Sequence, residues 1–156
     1  MLISELLGQT KTYNQWANGE FLSFLQSSAE PSVQAAKVFA HLLLAELTWL
    51  RRMSESRSDN TGFNFWTGET VKDCTKLFEQ SREEYEKFFN PLTEERLETV
   101  FAYKNSRGVA FENTCREALT HVFTHSAYHR GQMAQSIRAG GDAPPNTDFI
   151  HFLRIS

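Results

Sequence analysis

The stretch TCREALTHVFTHSAYHRGQMAQSIRAGG, residues 114–141, decides the fold. Thr114 and Glu117 have the spacing of a capping box, in which two side chains satisfy backbone N–H groups at the start of a helix. Gly140-Gly141 followed by Pro144-Pro145 marks its end, since glycine ends helices readily and proline cannot continue them. Between these signals lie His121, His125 and His129. A step of four residues advances about 40° around a helix, so the three side chains fall within an arc of about 80°. Ala118, Val122, Gln132 and Met133 share that side, which predicts that the histidines face the protein interior.

Working outward, Phe39-Ala-His-Leu-Leu-Leu-Ala45 places His41 in a segment that is apolar on nearly every side, as expected of a buried helix. This second helix is expected to begin near Pro31, a favourable first helical residue because its missing N–H would be unpaired there anyway. Val33, Ala36, Ala40, Leu43, Leu47 and Leu50 follow at helical spacing. An earlier helix is read from about Leu2 to Gln26, with Tyr13, Trp16, Ala17, Phe21, Phe24 and Leu25 on its apolar stripe. Residues 54–68 read as a polar connection. A third helix is expected from about Glu69 to Phe89, with Val71, Cys74, Phe78, Ser81, Tyr85 and Phe88 facing inward. Asn90-Pro91 ends it. Thr99, Val100, Phe101, Tyr103, Val109 and Phe111 favour extended structure, and Asn105-Ser-Arg-Gly108 supplies a turn, so a short β-hairpin or extended crossover is predicted there. The expected fold class is all-α: a single domain over 1–156 forming a four-helix bundle, up-down-down-up, with a long crossover or short hairpin before the last helix.

Composition narrows the function. The 156 residues carry a net charge of −3, which disfavours nucleic-acid binding because phosphate contacts need clustered Lys and Arg. The apolar fraction of 40%, with thirteen phenylalanines, suits a packed globular core rather than disorder. No run approaches the length of a membrane-spanning helix, and the N-terminus lacks signal-peptide features, so a cytoplasmic protein is expected. Cys74 and Cys115 have no metal-finger spacing and read as reduced, buried thiols.

Taken singly, each histidine is more simply a core residue. Together, on buried faces of two helices, His41, His125 and His129 point to a divalent metal ion, because an i, i+4 pair aims two imidazoles at one place. His121 is either a fourth ligand or, preferably, a residue that hydrogen-bonds a ligand or faces substrate. His151 reads as a surface or packing residue. Glu46, about 140° around the helix from His41, reads as solvated or paired at a helix edge. Trp49, Tyr128 and Phe39 are pocket candidates whose simpler role is packing.

Tyr13-Asn-Gln-Trp-Ala-Asn18, Ala40-His-Leu-Leu-Leu-Ala-Glu-Leu-Thr-Trp49, His121-Val-Phe-Thr-His-Ser-Ala-Tyr-His-Arg-Gly-Gln132 and Pro144-Pro-Asn-Thr-Asp-Phe-Ile150 resemble segments of the DinB family of metalloenzymes. The resemblance implies a four-helix bundle, usually a homodimer, with one metal ligand from the second helix and two from the last. Residue by residue these are His41, His125 and His129. It implies zinc or nickel as the metal. For some relatives it implies thiol-dependent transfer or isomerisation with bacillithiol, mycothiol or glutathione. Asp148 would orient a ligand histidine. Arg130 and Gln132 flank the last ligand; they either hold a substrate anion or position water, or serve in helix-surface packing and hydrogen bonding to a neighbour.

Three neutral imidazoles leave a divalent ion with an open position, the pattern of catalytic rather than structural sites. The expected function is therefore a thiol-dependent transferase or isomerase acting on small electrophiles. The alternatives are a metal-dependent hydrolase and a non-enzymatic, stress-associated metal-binding protein. Phe63-Asn-Phe-Trp66 is a candidate contributor to a dimer interface.

Overall fold

The computed structural model describes residues 1–55 and 70–156. The Phe63–Trp66 aromatics and most of the 54–68 connection lie outside the described residues. The chain runs through α1 (Ile3–Ser27), α2 (Val33–Glu55), α3 (Val71–Phe89), the single turn α4 (Glu94–Leu97), β1 (Val100–Lys104), β2 (Ala110–Thr114), α5 (Cys115–Ala139) and α6 (Phe149–Ile155). The described residues are mostly helical, with one small two-stranded sheet among them.

Local chemistry sets the boundaries. The Thr114 side chain accepts the Glu117 N–H and the Glu117 carboxylate accepts the Thr114 N–H, closing the expected box. At the other end, the Gly141 N–H bonds to the Arg138 carbonyl and the Asp142 N–H to the Ile137 carbonyl. This pattern needs a left-handed residue, and Gly141 supplies it at φ 94°. Thr70 and Asp73 cap α3 in the same reciprocal way. The start of α2 differs from expectation. Ser32, not Pro31, makes the cap: its Oγ accepts the Ala35 N–H at 3.1 Å, and Pro31 stands outside the helix.

Helix contacts run α1 to α3, α3 to α2, α2 to α5 and α5 back to α1. The directions follow from specific pairs. Cys74 bonds the Ala36 carbonyl and Ser81 bonds Glu46, so α2 and α3 run parallel. Ser32 meets Ser136, while the rings of Trp49 and His121 meet, so α2 and α5 are antiparallel. Lys11 meets Glu86 and Gln26 meets Thr75, so α1 and α3 are antiparallel.

The predicted hairpin forms, antiparallel from Val100 opposite Thr114 to Lys104 opposite Ala110. Asn105 Oδ1 accepts the N–H groups of Arg107 and Val109, and Gly108 takes φ 77°. Arg52 ties the hairpin to α2. Its guanidinium lies over the rings of Trp49 and Tyr103 and donates to the Lys104 carbonyl at 2.9 Å. The tail adds α6, which the sequence reading did not anticipate. Phe152 buries its ring against Tyr13 and Trp16, and His151 lies half-buried beside Trp16.

By length and composition Val33–Ser54 is apolar enough to cross a membrane, but 67% of that window is buried inside the protein, as in a core helix. Among the described residues, the buried apolar side chains form two clusters. One joins Phe21, Leu25, Phe39, Leu43, Met133 and Ile137. The other joins Leu50, Tyr85, Phe88, Leu97, Leu119 and Phe123. Cys74 and Cys115 are buried, one in each cluster.

Candidate metal centre

The antiparallel pairing of α2 and α5 brings His41 against His125 and His129. Ring centroids lie 5.4 Å apart for His41–His125, 4.6 Å for His41–His129 and 4.3 Å for His125–His129. One ring nitrogen from each lies within 4.8 Å of the others, and the Nε2 atoms of His125 and His129 stand 3.1 Å apart. Two nitrogens bound tetrahedrally to one ion at about 2.0–2.1 Å would stand about 3.3–3.4 Å apart. The His125–His129 pair is already close to that separation, and the His41 nitrogen, within 4.8 Å of both, completes a set that could close on one divalent ion.

The electrostatics suit the same purpose. A histidine binds a metal only as neutral imidazole. Burial, reinforced by the neighbouring His129, His121 and His41, pushes His125 down to about 4. Burial also lowers His129, against the opposing effect of its bond to Gln132. Protons therefore compete poorly for these nitrogens near neutral pH.

Gln132 lies one turn beyond His129, and its Oε1 stands 2.7 Å from His129 Nδ1. An amide oxygen only accepts, so Nδ1 carries the hydrogen and Nε2 presents its lone pair toward the other two imidazoles. His121 departs from the interior position read from its helical phase. It lies at the solvent edge, its ring 5.1 Å from Trp49 and 5.4 Å from His125. Partial burial and the nearby Arg52 cation lower its pKa. His121 lines a depression of about 280 Å³ with Trp49, Tyr103, Asn113, Glu117 and Ala118. A second depression, of about 480 Å³, involves Gln34, Val38, Gln132, Gln135, Ser136 and Ala139. The triad lies between the two along the α2–α5 seam.

Other candidates lie elsewhere. Arg130 follows His129 but turns about 100° away from it, into the interior. It is 3% exposed and donates from Nη1 to Asn14 Oδ1 at 2.6 Å and Asn18 Oδ1 at 2.9 Å. Asp148 is exposed, stands at the N-cap position of α6 without a side-chain capping bond, and lines a cavity with Tyr13 and Arg130. Phe39 is wholly core, whereas Tyr128 is 66% exposed.

Glu46 requires the largest correction. It is 1% exposed, neither solvated nor at an edge. Its Oε1 accepts from Asn14, Asn18 and Ser126 at 2.7, 3.0 and 2.8 Å, and its Oε2 from Ser81 at 2.7 Å. His41 does not mark the only inward direction of α2. In a helix covered on most sides, 140° away from one buried residue is also interior. The sequence held a signal for this network. Asn14 and Asn18, four apart, sit among apolar stripe residues, and a polar pair in such a stripe needs a buried partner.

The family model of the DinB family matches residues 4–156. The chain belongs to the DinB family. A DinB relative, the Bacillus subtilis (strain 168) protein named "Protein DinB", is 27% identical over 169 aligned residues, covering 90% of this chain and 90% of its own length. Among the described residues of this DinB-family chain, His41, His125 and His129 are the group of three side chains that converges so as to be able to hold a metal ion.

Proposed function

We propose that this DinB-family protein is a metal-dependent enzyme that joins a low-molecular-weight thiol to a small electrophile, by transfer or isomerisation. The observation that carries the proposal is the convergence of three imidazoles, without a carboxylate or thiolate among them, at the seam of two helices. Such a set leaves a bound divalent ion its full positive charge and an open position. An ion held there supplies Lewis acidity and favours the anionic form of a bound thiol or water. Imidazole ligation suits zinc or nickel.

The chain's own residues have separable tasks. His41, His125 and His129 hold the ion, and Gln132 keeps His129 in the ligating tautomer. The depression lined by Trp49, Tyr103 and His121 receives the electrophile one helical turn from His125. Its aromatic walls exclude water from one side of the reacting carbon. In transfer, the thiol sulfur forms the new bond to carbon as the bond from that carbon to the leaving group breaks. The leaving group takes the electron pair, and the thiol proton passes to it or to solvent. In isomerisation, the thiol adds to the electrophile and is expelled again once the adduct has rearranged, so that it is regenerated unchanged.

We read the ring of α1, α3, α2 and α5 as the up-down-down-up four-helix bundle that the family resemblance implies, in one domain. A cytoplasmic homodimer is the accompanying proposal, supported by the resemblance.

The test begins with elemental analysis of protein purified without an affinity tag, beside His41→Ala and His125→Ala. About one zinc or nickel per chain, lost in both variants while helical circular dichroism persists, is expected. The metal-loaded protein should then consume thiol with a model electrophile, and His125→Ala should not. Product formed without thiol would replace the transferase by a hydrolase. Absence of metal after reloading would remove both enzymatic readings.

A further inference from the structure

The histidine centre is assembled from two helices, so its geometry depends on how α5 is seated along α2. Apolar packing is non-directional and fixes that seating weakly. A slip of one turn would carry His125 and His129 about 5.4 Å past His41. Something directional must prevent it.

The buried polar residues are placed to do so. Ser126 follows His125, and Arg130 follows His129. Each points into the interior from the same turn as a candidate ligand. Ser126 donates to Glu46, which α2 carries just over one turn beyond His41. Arg130 reaches Glu46 through Asn14 and Asn18, each of which accepts from the guanidinium and donates to the carboxylate. Glu46, Ser126 and Arg130 are at most 3% exposed. A slipped register would leave buried charges without partners, which is far more costly than shifted apolar contacts. The network also falls between the two apolar clusters in the chain positions it occupies on α1, α2 and α5.

We infer that Glu46, with Asn14, Asn18, Ser126 and Arg130, is a positioning device that sets the register of α5 on α2 and so brings His125 and His129 to His41. This rests on reading the triad as a metal centre. Ser81 bonds the same carboxylate but belongs to α3, which carries none of the three histidines. It therefore provides an internal comparison. Ser81→Ala and Ser126→Ala each remove one hydrogen bond to Glu46, of 2.7 and 2.8 Å.

The experiment loads the full-length protein with Co²⁺ and follows its visible absorption. Affinity is read by competition with a chelator, below the unfolding temperature of every variant. Both serine variants should melt at similarly reduced temperatures. Ser126→Ala should bind cobalt about tenfold more weakly with an altered spectrum, while Ser81→Ala should change affinity by less than about twofold. Glu46→Gln, if it folds, should lose more affinity than Ser126→Ala. If it does not fold, the serine pair still decides. Wild-type affinity and spectrum in Ser126→Ala would overturn the inference, as would equal effects of the two serines. Wild-type protein that takes up no cobalt would overturn the reading of the centre, and this inference with it.

Discussion

Replacing Gln132 by Leu tests the proposed centre without touching a ligand. Gln132 Oε1 accepts from His129 Nδ1 at 2.7 Å, and the His129 residue is 6% exposed. Leucine preserves much of the volume but offers no acceptor. The Nδ1–H is then left in a poorly hydrated place, at a cost of about 1–3 kcal/mol. Alternatively the ring changes tautomer and loses its ligating Nε2. Loss of a partner that orients a metal ligand weakens binding roughly 10–100-fold, or about 1.4–2.7 kcal/mol. Competition between the protein and a chromophoric chelator for zinc measures this directly, with circular dichroism as the check on folding. Gln132→Glu restores an acceptor and should recover affinity to at least the wild-type level. Zinc affinity in Gln132→Leu equal to wild type would refute the assigned role, because the His129 ring would then be held by something else.

Metal-free protein should lose stability as the pH falls from about 6.5 to about 4. His125 is pushed down to about 4 in the folded state. The unfolded chain therefore binds the extra proton across that window, and stability rises with pH there; melting temperatures measured at intervals of pH would show it. Gly141→Ala should cost about 1 kcal/mol in urea denaturation, because the residue at φ 94° gains a Cβ in the left-handed region. Phe39→Ala should cost about 3–5 kcal/mol in the same assay, since the ring is wholly buried. A loss below about 1 kcal/mol would mean that the core collapses around the missing ring.

Features of one helix or one turn could be read from the chain alone. The Thr114–Glu117 box, the Gly140-Gly141 stop and the Asn105–Gly108 turn depend on residues a few positions apart, and their chemistry is local. The His125–His129 pairing belongs to the same class, because four residues always bring two side chains to one side of a helix. The resemblance carried the family, and the segments holding the three histidines were part of it. What lay beyond the sequence is which face meets which. Glu46 and Arg130 read locally as surface or substrate residues, but the packing of α1, α2 and α5 buries both. His121 shares the helical phase of the ligands, yet the edge of the α2–α5 seam leaves it beside Trp49 and solvent. The Ser126–Glu46 bond joins residues eighty positions apart. Local rules fix how a side chain leaves its own helix, but its surroundings depend on the packing of the others, and only the tertiary structure decides that.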